Sequence, residues 1–451
     1  MLLSIIKSFI NSGSERSRNV KRNAIASLLI KMFSMVIDFA KVPILLSYLD
    51  SERYGLYVTI ASIVYWTHNF DFGLGTGLRY KLTTAISNSN YLYGKRLVST
   101  AYYSMSGIMF FLLLILLPII AILDWNNLLN TNLISNQELI LCISIVLVVF
   151  VVQFILELIS YVLQAYQRAA LSSIFKPLAN LATLIVILLL KLFTHNSLLY
   201  ACLAMTVPIT IVLLISNIIF FVHRYKAVSP NIKLFDKSCL NDIYSLGLKF
   251  FVSQSANLII FQSAAFLISH YVSPTDAAAY STANTYFGSI VIFNTMMLVP
   301  LSAAVTDAYV KKDYLWLKNI FKRINKISIL LTILSLIVLF VSPIIFKYWI
   351  GNSLNIKWSL RIAMTIYFIL NIWTTPYSSF ISGVGKMQIA MTSAIFKMII
   401  YIPVAIFMVK TFGTPGIVFS IIIVNTLPNN ILYTIQYNKI VNKKAKGIWN
   451  K

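Results

Sequence analysis

Apolar stretches of about 20 residues recur from one end of this chain to the other, and they constrain its fold more than any other feature. Only 11% of the residues are charged, against about 25% in an ordinary soluble domain. The stretches are continuous rather than alternating, and only helices or closed barrels satisfy backbone polar groups in lipid. The sequence therefore predicts an all-α polytopic membrane protein.

Twelve stretches have the length of transmembrane helices, and we number them as spans 1 to 12. The polar segments between them are short, so they leave no room for a catalytic domain outside the membrane. The predicted spans cover residues 23–49, 54–84, 98–123, 138–166, 169–193, 197–222, 241–269, 276–309, 324–349, 358–382, 387–410 and 414–438.

Two short windows of sequence reappear in the second half of the chain. Residues 23–33 match 241–251 at six of eleven positions, with an offset of 218. Residues 167–176 match 388–397 at six of ten positions, with an offset of 221. Two windows at nearly the same offset indicate a duplicated protein with two pseudo-symmetric lobes of six helices around a central cavity.

The duplication predicts where each lobe begins and ends. We expect an N-terminal lobe at 1–222, a cytoplasmic linker at 223–240, and a C-terminal lobe with a basic tail at 241–451. With the N-terminus in the cytoplasm, 26 of the 37 Lys and Arg residues lie in cytoplasmic segments and six on the opposite side. This bias predicts that both termini are cytoplasmic.

Four lysines at membrane depth are the main candidate site residues: Lys31, Lys249, Lys176 and Lys397. A charge at the centre of a transmembrane helix costs about 2.5–3.5 kcal/mol on insertion scales, so each requires a reason. Lys31 and Lys249 either snorkel to the headgroups or face a cavity. Lys176 is shallower, whereas Lys397 lies in the middle of span 11 and either pairs with a buried acid or binds substrate.

Acidic residues at depth are fewer. Asp38 can share a helical face with Lys31 and Lys41, so it is either a structural pair or a proton- or sodium-linked carboxylate. Glu157 either pairs with Lys176 or has a function. Spans 3, 6, 9 and 12 carry no charged residue in their apolar stretches, so we expect them to face lipid rather than the cavity.

Span 2 contains a glycine-rich interruption, residues 71–77, with Asp71 at its start and Arg79 just beyond it. Three glycines in five positions weaken a helix. An interrupted helix at membrane depth is tolerated only where its backbone is buried in protein or lines water. Asp71 and Arg79 are therefore candidate site residues, although Arg79 also fits a plain cytoplasmic, positive-inside position.

Other functional classes find no support in the sequence. The net charge of +24 follows from the positive-inside rule and does not indicate a nucleic-acid partner. The three cysteines are far apart and form no metal-binding or disulfide pattern. No catalytic triad order, metal-ligand spacing or phosphate-binding loop is present, so we expect a protein that is not an enzyme.

Span 2 also carries the most specific family resemblance. The run Tyr54-Gly-Leu-Tyr and the run Phe70-Asp-Phe-Gly-Leu-Gly-Thr-Gly-Leu-Arg79 resemble span 2 of bacterial polysaccharide-repeat flippases, the Wzx-type O-antigen and capsule transporters. These belong to a superfamily shared with multidrug-and-toxin extruders. The basic N-terminal tail, the twelve spans, the two lobes and the length also match, so the likeness covers essentially the whole chain.

The resemblance implies a function in the bacterial inner membrane. The substrate would be an oligosaccharide linked to undecaprenyl pyrophosphate, moved from the cytoplasmic to the periplasmic leaflet by alternating access. An ion gradient of protons or sodium would drive it without a cofactor. Polysaccharide polymerase machinery would be a partner beside the lipid bilayer. A cavity lined by the four lysines suits an anionic pyrophosphate.

Two alternatives stay open at this point. A multidrug exporter of the same superfamily would need a more acidic cavity, because such proteins handle mostly organic cations. A membrane-embedded glycan polymerase or glycosyltransferase would need a sizeable outer loop with catalytic groups. The sugar composition, the coupling ion, the oligomeric state and the choice between O-antigen and capsule are not specified by the sequence.

Overall fold

The computed structural model describes the backbone at residues 15–65 and 73–450. Throughout these segments the regular structure is helical, with no β-strand, which confirms the predicted all-α class. Side chains are described in the same segments except at 15–28, 64–65, 169, 245–258, 292–293, 295–304, 306–307 and 310.

The N-terminal half contains spans 1 to 6. Span 2 is made of two helices, and residues 66–72 between them, including Asp71, lie outside the described residues. A short helix, Trp125–Leu129, follows span 3. The helices are Glu15–Tyr48 in span 1, Ser51–Tyr65 and Leu74–Ser87 in span 2, Tyr91–Ile122 in span 3, Asn136–Leu156 and Leu158–Ala165 in span 4, Ala169–Ser173 and Phe175–Phe193 in span 5, and Leu198–Ile219 in span 6.

The C-terminal half contains spans 7 to 12. Span 12 includes a π-helical turn, Ile422–Thr426, between two α-helices. The helices are Lys237–Tyr271 in span 7, Pro274–Val310 in span 8, Tyr314–Trp349 in span 9, Trp358–Val384 in span 10, Gln388–Phe412 in span 11, and Thr414–Ile421 and Leu427–Val441 in span 12. Each predicted span therefore corresponds to a described helix or pair of helices.

Among the residues whose side chains the structure describes, seven helices are long and apolar enough to cross a membrane: those of spans 3, 4, 5, 6, 9, 11 and 12. The helices of spans 1, 7, 8 and 10 are 27 to 37 residues long and contribute to the walls of the cavities described below.

Glycine at position 77 allows span 2 to pack directly on span 7. A Cβ atom at position 77 would lie 2.2 Å from the carbonyl oxygen of Ile243, which is a steric clash. Glycine fits here because it has no Cβ atom. Gly77 is buried, as are Gly73, Leu74 and Gly75 before it. The described part of the glycine-rich segment therefore brings two helix backbones into contact across the two halves.

The two halves also meet at the ends of spans 3 and 7. The Ser269 hydroxyl donates to the Leu129 carbonyl at 2.9 Å, and the Asn130 amide donates to the Val272 carbonyl at 3.1 Å. Buried side chains of both halves belong to one large hydrophobic cluster. These contacts join spans 1 to 6 to spans 7 to 12 on the side that we expect to be periplasmic.

The linker between the halves packs on the opposite end of span 3. The backbone N–H of Asn231 donates to the Ser99 hydroxyl at 2.9 Å, and that of Asp236 donates to the Thr100 hydroxyl at 3.0 Å. Asp236 caps the helix of span 7 by accepting from Ser238. The Ser238 hydroxyl and backbone N–H hold the pKa of the Asp236 carboxyl below its ordinary value.

Candidate functional site

A large cavity of about 1270 Å³ lies in the N-terminal half and extends to spans 7 and 8. Spans 1, 2, 4, 5 and 6 supply most of its wall. The charged side chains on that wall are Lys31, Asp38, Lys41, Glu157 and Lys176. Among the described residues of the wall, three cations and two carboxylates give a formal charge of +1 when all five groups are ionised.

Asp38, Lys41 and Asn180 form a closed triangle on one side of this cavity. The Lys41 ammonium lies 2.8 Å from an Asp38 carboxylate oxygen. The Asn180 amide donates to the same oxygen at 2.9 Å, and its carbonyl oxygen accepts from Lys41 at 3.1 Å. Asn180 therefore holds both members of the ion pair in place. In a membrane, each of these two charges would be costly without the other.

Lys31 and Lys176 line the same cavity with exposed side chains. Within the described part of the chain, no acidic group forms an ion pair with either of them. Glu157 is on the cavity wall and half-buried; it lies beyond ion-pair distance of Lys176, but the Lys176 charge still acts on its carboxyl group. Two lysine ammonium groups thus face the cavity outside any ion pair among the described residues, so both can contact an anion.

A second cavity of about 480 Å³ lies in the C-terminal half, among spans 7, 10, 11 and 12. Lys397 is on its wall and is only 7% exposed. Its ammonium donates to the side-chain carbonyl of Asn429, whose amide donates to Asn425 at 3.0 Å. The structure therefore places Lys397 in a different cavity from Lys31 and Lys176, rather than in one common site.

The remaining candidate residues fall elsewhere. The Arg79 guanidinium donates to the Gln164 side chain at 3.2 Å, and Arg79 is on the wall of neither cavity. Lys249 belongs to the helix of span 7, but its side chain is outside the described residues. Asp71 is outside them entirely. Of the eight candidates, the large cavity brings together Lys31, Lys176, Asp38 and Glu157.

The emphasis on charge missed several polar residues of the two cavities. Asn180 follows Lys176 by four positions, so it lies on the same helical face, and this spacing was the available signal. Asn425 and Asn429 show the same spacing in span 12. The expectation that spans 3, 6 and 12 face lipid rather than a cavity is wrong, because Met105 and Thr206 line the large cavity and both asparagines line the second one.

Comparison with known proteins gives the family. The model of the family described as "Polysaccharide biosynthesis protein" matches residues 20–306, more than half of the chain. The chain belongs to this family. The match includes span 2, and it confirms the resemblance to polysaccharide-repeat flippases.

Two relatives are named for O-antigen movement. A Yersinia pseudotuberculosis protein named for O-antigen export is 20% identical over 363 residues, which cover 79% of this chain and 82% of the relative. A Salmonella typhimurium protein named as an O-antigen transporter is 21% identical over 413 residues, with 88% and 91% covered. Both matches extend over both halves of this family member.

Solved structures share the fold. An inward-facing multidrug resistance MATE family transporter of the MOP superfamily matches with a TM-score of 0.77 and 15% identity, covering 94% of this chain and 100% of that one. A MOP superfamily transporter from Pyrococcus furiosus, described with a binding pocket of reverse polarity, gives a TM-score of 0.66 and 13% identity, covering 97% and 98%. At these identities the likeness concerns the fold alone.

These findings identify a multi-pass membrane transporter related to polysaccharide biosynthesis, and not an enzyme. The glycan polymerase and glycosyltransferase alternative is thereby set aside. The multidrug-exporter alternative shares the fold, so the fold does not separate it from a polysaccharide transporter. The family match and the two relatives named for O-antigen movement are the findings that do.

Proposed function

We propose that this protein moves oligosaccharide repeat units, linked to undecaprenyl pyrophosphate, from the cytoplasmic to the periplasmic leaflet of a bacterial inner membrane. The units would serve the synthesis of a surface polysaccharide, an O-antigen or a capsule. Both termini would be cytoplasmic, as the distribution of Lys and Arg indicates. Polymerase machinery that joins the units would act on the periplasmic side.

One observation carries this proposal: Lys31 and Lys176 face the large cavity, and neither forms an ion pair with a carboxylate in the described part of the chain. A pyrophosphate cannot cross about 30 Å of hydrocarbon unless cations replace the water around it. Two lysine ammonium groups supply that replacement and release the group again, because lysine binds phosphate as a mobile point charge. The lipid tail would stay outside the cavity.

The cycle would be alternating access between two lobes, 1–222 and 241–451, driven by a proton or sodium gradient. Asp38 is the carboxylate best placed to respond to the coupling ion, since it lies on the cavity wall beside Lys41 and Asn180. Binding of the coupling ion at Asp38 would change the charge of the wall and weaken the contact between Asp38 and Lys41. Glu157 is a second carboxylate of the same wall.

A multidrug exporter is the alternative that shares this fold. Such proteins handle mostly organic cations, which Lys31 and Lys176 would repel because neither forms an ion pair in the described part of the chain. The proposal therefore follows the sign of the cavity charge together with the family.

Complementation in a bacterial strain that lacks its own repeat-unit flippase tests the proposal. The wild-type protein should restore surface polysaccharide and prevent accumulation of lipid-linked units in the cytoplasmic leaflet. The double variant Lys31→Ala, Lys176→Ala should reduce surface polysaccharide by at least about 100-fold, because each lost charged hydrogen bond weakens binding by roughly tenfold or more.

Lys191→Ala is the matched control. Lys191 belongs to the same helix as Lys176, but its ammonium donates to Ser47 at 3.0 Å and it is not on the cavity wall. This variant should export like the wild type at equal membrane abundance. Normal polysaccharide from an abundant double variant would contradict the role of the two lysines, and no restoration by the wild type would contradict the function itself.

A further inference from the structure

The C-terminal cavity has an unusual charge environment. Lys397 is buried at membrane depth, and no carboxylate in the described part of the chain lies within ion-pair distance of it. Its hydrogen-bond partner is the neutral side chain of Asn429. A buried ammonium without a counter-charge is expensive, so this cavity is built for an anion that comes from outside the protein.

The internal duplication shows how the two halves differ at this point. Lys397 is the repeat of Lys176, at the offset of 221. At the same offset, Ser378 of span 10 corresponds to Glu157, and it lines the C-terminal cavity as Glu157 lines the large one. The N-terminal half thus has a carboxylate in the cavity of its lysine, whereas the C-terminal half has a hydroxyl.

The other groups on this wall suit a sugar. Asn371, Thr374 and Asn425 offer neutral donors and acceptors, and Tyr367 and Tyr433 offer aromatic faces with polar tips. One ammonium among such groups matches a single negative charge on a polyhydroxylated ring. A pyrophosphate carries at least two charges and is better matched by the lysines of the large cavity.

Span 7 forms a partition between the two cavities. Phe261 lines the C-terminal cavity, and the next residue, Gln262, lines the large one. One helix with its side chains is about 10–12 Å across. A repeat unit of several sugars is longer than that, so its pyrophosphate and one of its sugars can occupy different cavities at the same time.

From these observations, and resting on the proposed function, we propose that the C-terminal cavity is a glycan site that binds the carboxylate of an acidic sugar through Lys397. The large cavity then binds the pyrophosphate common to all such lipids. The C-terminal cavity selects the repeat unit by its charge.

Two repeat units that differ only in one sugar, a hexuronic acid or the corresponding neutral hexose, test this inference in the complementation strain. Lys397→Met keeps the length of the side chain and removes its charge. It should lower export of the acidic unit by about 10- to 100-fold and leave export of the neutral unit within about twofold, because only the acidic unit loses a charged hydrogen bond.

Lys410→Met is the matched control on the same helix. The Lys410 ammonium lies 5.1 Å from the centre of the Tyr271 ring, and Lys410 is not on the wall of the C-terminal cavity. This variant should export both units normally. Equal loss of both units with Lys397→Met would assign Lys397 to the pyrophosphate, to ion coupling or to folding, and would overturn the inference, as would no loss of either unit.

A second variant separates binding from stability. Asn429→Asp keeps the shape of the side chain that Lys397 contacts and supplies an internal carboxylate. It should raise the unfolding temperature of the purified protein and still block the acidic unit selectively. Export of the acidic unit at the wild-type level by this variant would also overturn the inference. Failure of the wild-type protein to export either unit would instead refute the proposed function.

Discussion

Gly55 of span 2 lies directly against the backbone of Pro274 at the start of span 8. A Cβ atom at position 55 would lie 1.7 Å from the carbonyl oxygen of Pro274 and 2.3 Å from its carbonyl carbon. Because the opposing atoms are backbone, they cannot rotate away as a flexible side chain can. Glycine at this position is therefore what allows the two halves to close at this end.

Gly55→Ala should accordingly destabilise the protein by about 1–3 kcal/mol, the usual cost of overpacking a tight contact, and should impair transport. Thermal unfolding of the purified protein measures the first effect and complementation the second. Gly107→Ala is the control, since no atom lies within 4 Å of a Cβ at that position. Equal behaviour of the two variants would show that spans 2 and 8 do not meet as described.

Trp349 of span 9 makes another contact between the halves. Its ring nitrogen donates to the Phe39 carbonyl at 3.0 Å, and its ring stacks on that of Phe39 at 4.8 Å. Trp349→Phe should cost about 1 kcal/mol, because it removes one hydrogen bond and keeps an aromatic ring. Trp349→Ala should cost about 3–5 kcal/mol through the lost packing.

Tyr348→Ala provides the control for thermal unfolding of the Trp349 variants. Tyr348 precedes Trp349 in the same helix and is 84% exposed. Its replacement should change stability by less than about 0.5 kcal/mol. If Trp349→Ala destabilised the protein no more than Tyr348→Ala does, the aromatic contact with Phe39 would contribute little to the free energy of unfolding.

Asp38→Asn should reduce transport by at least about tenfold while membrane abundance stays normal. The amide keeps hydrogen-bonding capacity toward Lys41 and Asn180 but cannot exchange a proton or bind sodium through a charge. Complementation and an uptake assay driven by imposed proton or sodium gradients measure the effect. Glu138→Gln, an exposed acid in the first turn of span 4, should be silent. Full gradient-dependent transport by Asp38→Asn would remove Asp38 from ion coupling.

The orientation of the chain can be tested without any transport assay. Reporter fusions after Asn241 and at the C-terminus should be active in the cytoplasm, and a fusion at Asn127 should be active in the periplasm. The reason is the concentration of Lys and Arg in the segments assigned to the cytoplasm. A periplasmic C-terminus would contradict both the twelve-span arrangement and the parallel relation of the lobes.

Several features could be predicted from the sequence because they depend on local properties. Span lengths follow from the thickness of the bilayer, so each predicted span has a helix or pair of helices in the structure. The family could be inferred from the glycine-rich motif of span 2 and is confirmed by the family match. The lysines predicted at membrane depth include residues on the walls of both cavities. They could be singled out from the sequence because a charge within a membrane is energetically costly.

Other features were decided only by the tertiary structure. The sequence could not show that Lys397 and Lys176 occupy separate cavities, or that Arg79 pairs with Gln164 outside both. Which faces of two helices meet depends on packing between distant parts of the chain, as at Gly55, and not on the composition of either helix.

The neutral asparagines on the cavity walls are a further feature that only the tertiary structure revealed. Asn180, Asn425 and Asn429 insert into the membrane at less cost than a charge, so a search for buried charges passes over them. Once the helices pack, these amides hold Asp38, Lys41 and Lys397 in place. The sequence by itself determined a lysine-bearing membrane protein and predicted its duplication, and the packing of its helices decided which lysines form ion pairs among the described residues.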